Sequence, residues 1–354
     1  MASQINFGAL TLNSDEAHDA SQVIFEQFYV RPELARAHQI MTGVNMDRYI
    51  PILGQLGLVG KVDPGSCGTN AVAVTTVSQK QATPKLISGR ITHCQGDIPD
   101  LLKFWAKSMT AKEIWSNVDA AMMEYITNYT AEAVANSALR LAEFGDTAAD
   151  VIANGGVLTA GTDKTYFNPL NGMWKQVFTD QALPTPLTYR YTIVKNAEPT
   201  YATQNALASD DAYNMFVALY DGIDSRAAGR NLVFQITRSL WNNWVAYIES
   251  KAGAYKIELL QDGTTKETFR GIPIVVRYDW DRILKAYYDN GASLYLPHRA
   301  ILTNLENIPI LTSDEESLTS FDSFYDQTDK KHYIDFAYKL DCKILEEYAV
   351  AVAY

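Results

Sequence analysis

The clearest hydrophobic pattern lies near the end of the chain. In "YIDFAYKLDCKI", Ile334, Phe336, Tyr338, Leu340, Cys342 and Ile344 alternate with Asp335, Lys339, Asp341 and Lys343, the period of a strand with one dry and one wet face. The closing "EEYAVAVAY" is apolar at consecutive positions and predicts a strand buried on both faces. A third run, "TFRGIPIVVRYDW", alternates through Ile272, Ile274, Val276 and Tyr278 but contains Pro273. Proline has no N–H for a ladder, so this strand belongs at a sheet edge, at its own first residues or at a bulge.

Helical spacing dominates elsewhere. Ser14 to Val30 carries Ala20, Val23, Ile24 and Phe28 at intervals of an amphipathic helix, which Pro32 ends. The stretch from Ala111 to Phe144 predicts a far longer helix, roughly 50 Å at 1.5 Å per residue. Thr110 and Glu113 have the spacing of a capping box, and Gly145 stands where a left-handed C-terminal cap is expected. Trp115, Val118, Met122, Tyr125 and Tyr129 recur every three or four residues and predict a buried stripe.

Between these helices, residues 44–97 differ in character. Glycines recur at Gly43, Gly54, Gly57, Gly60, Gly65 and Gly68, short alternating runs flank "DPGSCG", and large apolar side chains are sparse from Val62 to Pro84. The reading is an extended hairpin without a core of its own, which must lie on something else to be ordered. Downstream, "NGMWKQVFTD" predicts a short helix and "TPLTYRYTIV" a strand. The runs "DDAYNMFVALYDGI", "NLVFQITRSL" and "SLWNNWVAYIESK" then predict helix, strand and helix, an α/β or α+β module.

Composition narrows the function classes. No apolar run approaches the eighteen or so residues of a membrane span, and the N-terminus has no secretory pattern, so no membrane or export role is expected. Thirty Lys and Arg against 41 Asp and Glu give a net charge of −11, which leaves no whole-chain footprint for tight nucleic-acid binding. Three widely spaced cysteines, Cys67, Cys94 and Cys342, read as reduced thiols.

The search for chemistry yields no catalytic, cofactor-binding or metal residue. His18, His38, His93, His298 and His332 show no ligand spacing, and Cys67, His93 and Cys94 fit no common zinc site. The glycines of "GQLGLVG" lack the order that phosphate binding requires. The acidic run holding Asp314, Glu315, Glu316, Asp322, Asp326 and Asp329 lacks the central glycine of a calcium loop and reads as a solvated loop. The expectation is a protein that is not an enzyme and carries no cofactor.

The order of parts, an arm, a glycine-rich hairpin, a very long helix, an α/β module and a final buried strand, resembles the Hong Kong phage-type capsid fold shared by tailed-phage major capsid proteins and encapsulins. The phrases "YIPILGQLGLVGKV", "LRLAEFGDT", "FNPLNGMWKQVF", "TFRGIPIVVRYDW" and "LPHRAILTNLENIPI", with the terminal alternating strand, are similar to those of major capsid proteins of Bacteroidetes phages. The resemblance implies an α+β fold with an N-terminal arm (1–43), an E-loop hairpin (44–97), a peripheral domain with the spine helix (98–200), an axial domain (201–332) and C-terminal strands returning to the peripheral sheet (333–354). It places the Pro273 strand at the edge of the axial sheet.

The resemblance also implies a homo-oligomer of hexamers and pentamers forming an icosahedral or prolate shell, a virion component assembled in the host bacterial cytoplasm. Expected partners are portal, scaffolding and head-decoration proteins, with double-stranded DNA enclosed but not bound sequence-specifically. Some members carry a long helical scaffolding segment before the arm. Here only about fifteen residues precede the first helix, so the scaffold is expected to be a separate protein or a removed segment. Some members weld their shells through Lys–Asn bonds, for which Lys61, Lys80 and Lys85 stand in position; no crosslink is expected. Within the fold the rival is an encapsulin-like cargo shell, and outside it an α/β enzyme.

Overall fold

The computed structural model describes residues 36–44, 46–53, 77–94, 118–252, 267–312, 320–326, 328–329 and 331–354. The helix expected at Ser14 to Val30, the capping box at Thr110 and Glu113, and the hairpin tip lie outside the described residues.

In chain order the strands are β1 (Ile40–Met41), β2 (Arg48–Leu53), β3 (Val77–Ala82), β4 (Lys85–Cys94), β5 (Tyr189–Tyr191), β6 (Leu232–Ile236), β7 (Thr268–Phe269), β8 (Ile272–Val276), β9 (Ala300–Asn304), β10 (Ile310–Thr312), β11 (Ser320–Asp326), β12 (Lys331–Cys342) and β13 (Ala351–Ala353). The α-helices are α1 (Val118–Phe144), α2 (Met173–Gln181), α3 (Tyr201–Gln204), α4 (Asp211–Gly222), α5 (Arg238–Ala252) and α6 (Tyr278–Tyr287).

Two sheets organise the molecule. In the first, β12 is central: β4 and β11 lie antiparallel to it, and β10 continues from it to β1. The second runs β5-β13-β9-β6-β8-β7. The last strand, β13, sits inside the second sheet, parallel to β5 and antiparallel to β9. Its double-sided burial explains the position. Val350 and Val352 join a core with α1, α2 and α6, while Ala351 and Ala353 join a second core with α4 and α5. β9 divides in the same way, Ile301 to one side and Ala300 and Leu302 to the other. The two cores therefore share one wall of backbone.

The dry face of β12 follows its alternation, with Ile334, Tyr338, Leu340, Cys342 and Ile344 buried. Asp341, on the nominally wet side, is buried too: it accepts the Thr83 N–H at 2.7 Å and pairs with Lys343 at 3.4 Å. Strand β4, expected as part of the free hairpin, is paired along its length with β12. Its Ile87 and Ile91 pack on the core, and Gly89 faces Phe336, whose ring would lie 2.4 Å from an added Cβ. Among the described residues, the free hairpin is made of β2 and β3.

Strand β8 is not the edge strand that the resemblance implies, since the short β7 pairs outside it, but Pro273 is one of its first residues, another place a strand proline is tolerated. Pro273 is exposed, opposite the two-residue β7, and precedes the pairing of β8 with β6, which begins at Ile274. The strand ends at Val276 and Tyr278 opens α6, so Tyr278 belongs to a helix rather than to the strand face.

Helix α1 departs from the expected stripe. Tyr129 is exposed, and the buried apolar residues are Ala131, Val134, Ala135, Ala138, Leu139, Leu141, Ala142 and Phe144, half of them alanines. Tyr129 and Ala138 are nine residues apart, two and a half turns, and so lie on opposite sides. Small alanines let the helix approach β12 and α2 closely, which a search for large apolar residues overlooks. The side chains of Val118, Met122 and Tyr125 lie outside the described residues, as does Trp115.

Gly145 ends the helix, but not in the left-handed region. Its role is proximity: an added Cβ would stand 2.5 Å from the Leu141 carbonyl oxygen and 2.6 Å from that of Leu170. Gly172 donates to the Gly145 carbonyl at 2.8 Å and has the same tight contact with α1.

Candidate assembly surfaces

The described chain offers no concentrated chemistry. Among the described residues no three His, Cys, Asp or Glu side chains are placed to hold a metal ion, and no helix is long and apolar enough to cross a membrane. His298 is buried; its Nε2–H donates to the Gln204 carbonyl at 2.9 Å, so its Nδ1 accepts from the Ser239 hydroxyl at 2.6 Å. Burial lowers the His298 pKa, and the neutral ring acts as a strut between α3 and α5. Asp326 accepts the Thr328 and Asp329 N–H groups, which lower its pKa and close the turn between β11 and β12. The side chains of His18, His93, His332, Cys67 and Cys94 lie outside the described residues.

His38 has a different setting. Its Nδ1–H donates to the Ile308 carbonyl at 2.9 Å, and Nε2 pairs with Glu143 Oε1 at 2.8 Å. The same Glu143 oxygen lies 2.5 Å from the Arg277 guanidinium, and the other accepts the Trp280 indole N–H at 2.8 Å. Arg277 forks onto Asp279 at 2.5 and 3.0 Å and reaches Gln235, whose amide donates to the Ala37 carbonyl at 2.8 Å. Burial opposes the charge on Arg277, yet Glu143 and Asp279 outweigh it and raise its pKa. Burial likewise opposes ionisation of Asp279, and Arg277 reverses the balance to hold that pKa low. Four distant pieces of chain thus meet in one buried polar knot: the arm, the end of α1, β6, and the turn into α6. Sequence reasoning missed it, since its members lie as far apart as Ala37 and Trp280, 243 positions along the chain. The only sequence signal is local, an Arg-x-Asp closing the apolar β8 run.

The knot fixes the arm where β1 adds in parallel to β10, and the free hairpin leaves from this point. Its base is pinned by buried Val44 and Ala82 against Leu311 and by an ion pair between Lys80 and Glu347. Beyond that base, β2 and β3 pair only with each other among the described residues, and Met46 and Tyr49 are exposed, 76% and 61%. A two-stranded ribbon in water is marginal by itself, so this element gains stability by lying on another surface. Between hairpin, arm and the ends of β6 and β9 runs a cleft of about 560 Å³ lined by Met41, Ile50, Ile52, Arg230, Asn304 and Glu346.

A second exposed apolar feature is built rigidly. In the last turn of α2, buried Asp180 accepts the Leu187 and Thr188 N–H groups and the Thr188 hydroxyl, at 3.3, 2.8 and 2.5 Å. These bonds clamp a turn containing Pro184 and Pro186 that holds Leu183 and Leu187 out to solvent, 53% and 61% exposed. Apolar side chains held outward at a fixed geometry suit a protein partner.

No protein-family model and no curated protein matches the chain. Solved structures do. A chain of the structure "Gordonia phage Cozz" aligns with a TM-score of 0.51 at 11% identity, over 90% of this chain and 84% of that one. A chain of "Capsid of empty GTA particle computed with C5 symmetry" aligns with a TM-score of 0.50 at 11% identity, over 91% and 88%. With its two sheets, shared core wall, long helix and free hairpin, the chain has the Hong Kong phage-type capsid fold.

Proposed function

We propose that this chain is a major capsid protein, a structural subunit that assembles with copies of itself into the shell of a tailed phage. The observation that carries this reading is a capsid fold in which the β2–β3 ribbon, among the described residues, pairs with neither of the two main sheets of its own chain. Covering such ribbons and the Leu183–Leu187 turn with neighbouring chains buries surface that a lone chain leaves wet, and binding of this kind stabilises the folded state by mass action. Contacts repeated around five- and six-fold axes close into a shell of pentamers and hexamers. The net charge of −11 suits a wall that encloses DNA without gripping it. Portal, scaffolding and decoration proteins complete the expected set of partners, with assembly in the host bacterial cytoplasm.

Sedimentation velocity of the purified full chain tests the proposal. Species of many subunits that collapse to single chains when residues 54–76 are replaced by a short turn are the expected result. A deletion variant that sediments like the parent would remove the hairpin from the assembly mechanism.

A further inference from the structure

Arg299, just before β9, carries a charge that the fold leaves without a counter-ion. Its side chain is fully buried, and no carboxylate lies within ion-pair distance among the described residues. Only two of its five N–H groups have assigned acceptors: Nε donates to the Leu296 carbonyl at 2.9 Å and one terminal nitrogen to that of Tyr295 at 3.3 Å. The rest of its surroundings is aromatic, with the Phe144, Trp174, Phe178 and Tyr288 rings centred 5.1–5.8 Å from the guanidinium carbon. Burial pulls its pKa down to about 10, the direction expected for a cation lacking an anion.

A second, independent group points the same way. The indole N–H of Trp174 is buried and has no hydrogen-bond partner among the described residues, although buried donors are rarely left unpaired. Trp174 and Arg299 line the same cavity of about 270 Å³, together with Phe178, Tyr288, Tyr295 and Lys175. The two carboxylates on its wall are already engaged. Asp146 pairs with Lys175 at 3.0 Å, and Asp150 accepts the Val151 N–H at 2.8 Å and faces Lys164 at 3.8 Å.

We propose that this cavity between α1, α2 and the Tyr288–Arg299 segment is a binding site for a carboxylate with an apolar body, its head on the Arg299 guanidinium and the Trp174 N–H and its body among the aromatic rings. The carboxylate is either free in solution or carried by a neighbouring copy of the chain. The site does not depend on the shell reading.

Benzoate is the probe, with benzyl alcohol as its uncharged counterpart, titrated calorimetrically into the full chain at pH 7 and constant ionic strength. The expected result is saturable binding of one benzoate per chain and none of the alcohol. Trp174→Phe, which removes the N–H but keeps an aromatic ring, is expected to weaken binding about three- to tenfold, and Arg299→Met at least about tenfold. Binding to dissociated chains but not to assembled particles assigns the natural carboxylate to a neighbouring copy; binding to both assigns it to a free ligand. Absence of saturable binding to either form overturns the proposal. So does equal binding by a folded Trp174→Phe variant and the parent, a readout that survives if Arg299→Met fails to fold.

Discussion

Replacing Arg277 by Met removes the cation at the centre of the buried knot and leaves two carboxylates behind. Glu143 is fully buried and Asp279 nearly so, and both lie 2.5 Å from the guanidinium. Gln235 loses a partner as well, at 2.5 Å. Methionine fills much of the vacated volume, so the loss is dominated by electrostatics rather than by a cavity. Breaking one side of a buried ion pair costs about 3–5 kcal/mol, because the remaining charge keeps its desolvation penalty without its compensation. Against a total stability of about 5–15 kcal/mol, that is enough to leave little folded protein under mild stress. The pH dependence has a definite sign. Arg277 holds the Asp279 pKa below its ordinary value, so the stability this gives the parent is present above the unfolded carboxylate pKa and fades as acid protonates Asp279. Without Arg277, burial alone acts on Asp279 and raises its pKa, so acid neutralises that carboxylate in the variant before it does so in the parent, and the penalty of Arg277→Met is larger at pH 7 than near pH 4. Urea unfolding followed by tryptophan fluorescence at both pH values measures it. A triple variant that adds Glu143→Gln and Asp279→Asn recovers part of the loss. A cost under 1 kcal/mol at pH 7, or one that does not shrink in acid, would refute the assignment of a buried, mutually compensated ion network.

Other sites give sharper local expectations. Gly145→Ala drives a Cβ against the Leu141 and Leu170 carbonyls and is expected to cost at least about 1–3 kcal/mol in the same assay, although alanine is the better helix former. Asp281, beside α5 and accepting the Arg238 N–H at 3.0 Å, has its pKa raised to about 6 by burial, with Asp279 adding to the effect. A raised carboxyl pKa favours the folded state below the unfolded pKa and loses that advantage as pH rises through 6. Asp281→Asn should therefore raise the urea midpoint at pH 7–8 and leave it unchanged near pH 4. Cys342 is buried with its thiol pKa raised, so it is expected to react with a thiol reagent only on unfolding. Lys80 is held by Glu347, and boiled particles are expected to run as single chains near 39.4 kDa; a ladder resistant to reducing agent would show crosslinking.

Much of the architecture was legible in the alternating and helical spacing of large side chains. The dry face of β12, the double-sided burial of β13, the awkward Pro273 and the helices around "NGMWKQVFTD" and "SLWNNWVAYIESK" all follow from it. Other features were hidden because their causes are not periodic. Pairing partners depend on long-range contacts, so the alternation of β4 could not announce β12 as its neighbour, nor that of β13 its place beside β9. The buried face of α1 is written in alanines, which pack closely but carry little hydrophobic signal, whereas the conspicuous Tyr129 is exposed. Gly145 was legible as a helix end, but its reason is a carbonyl 2.5 Å from a Cβ, visible only in three dimensions. The polar knot and the Arg299 cavity join residues far apart in the chain, and no spacing rule links them.

Electron microscopy of the purified full-length protein tests the central claim most directly. The account predicts regular assemblies, rings, tubes or closed shells, in which each β2–β3 ribbon lies across a neighbouring copy. Isolated chains of 39.4 kDa at every concentration, with no regular particles, would contradict it.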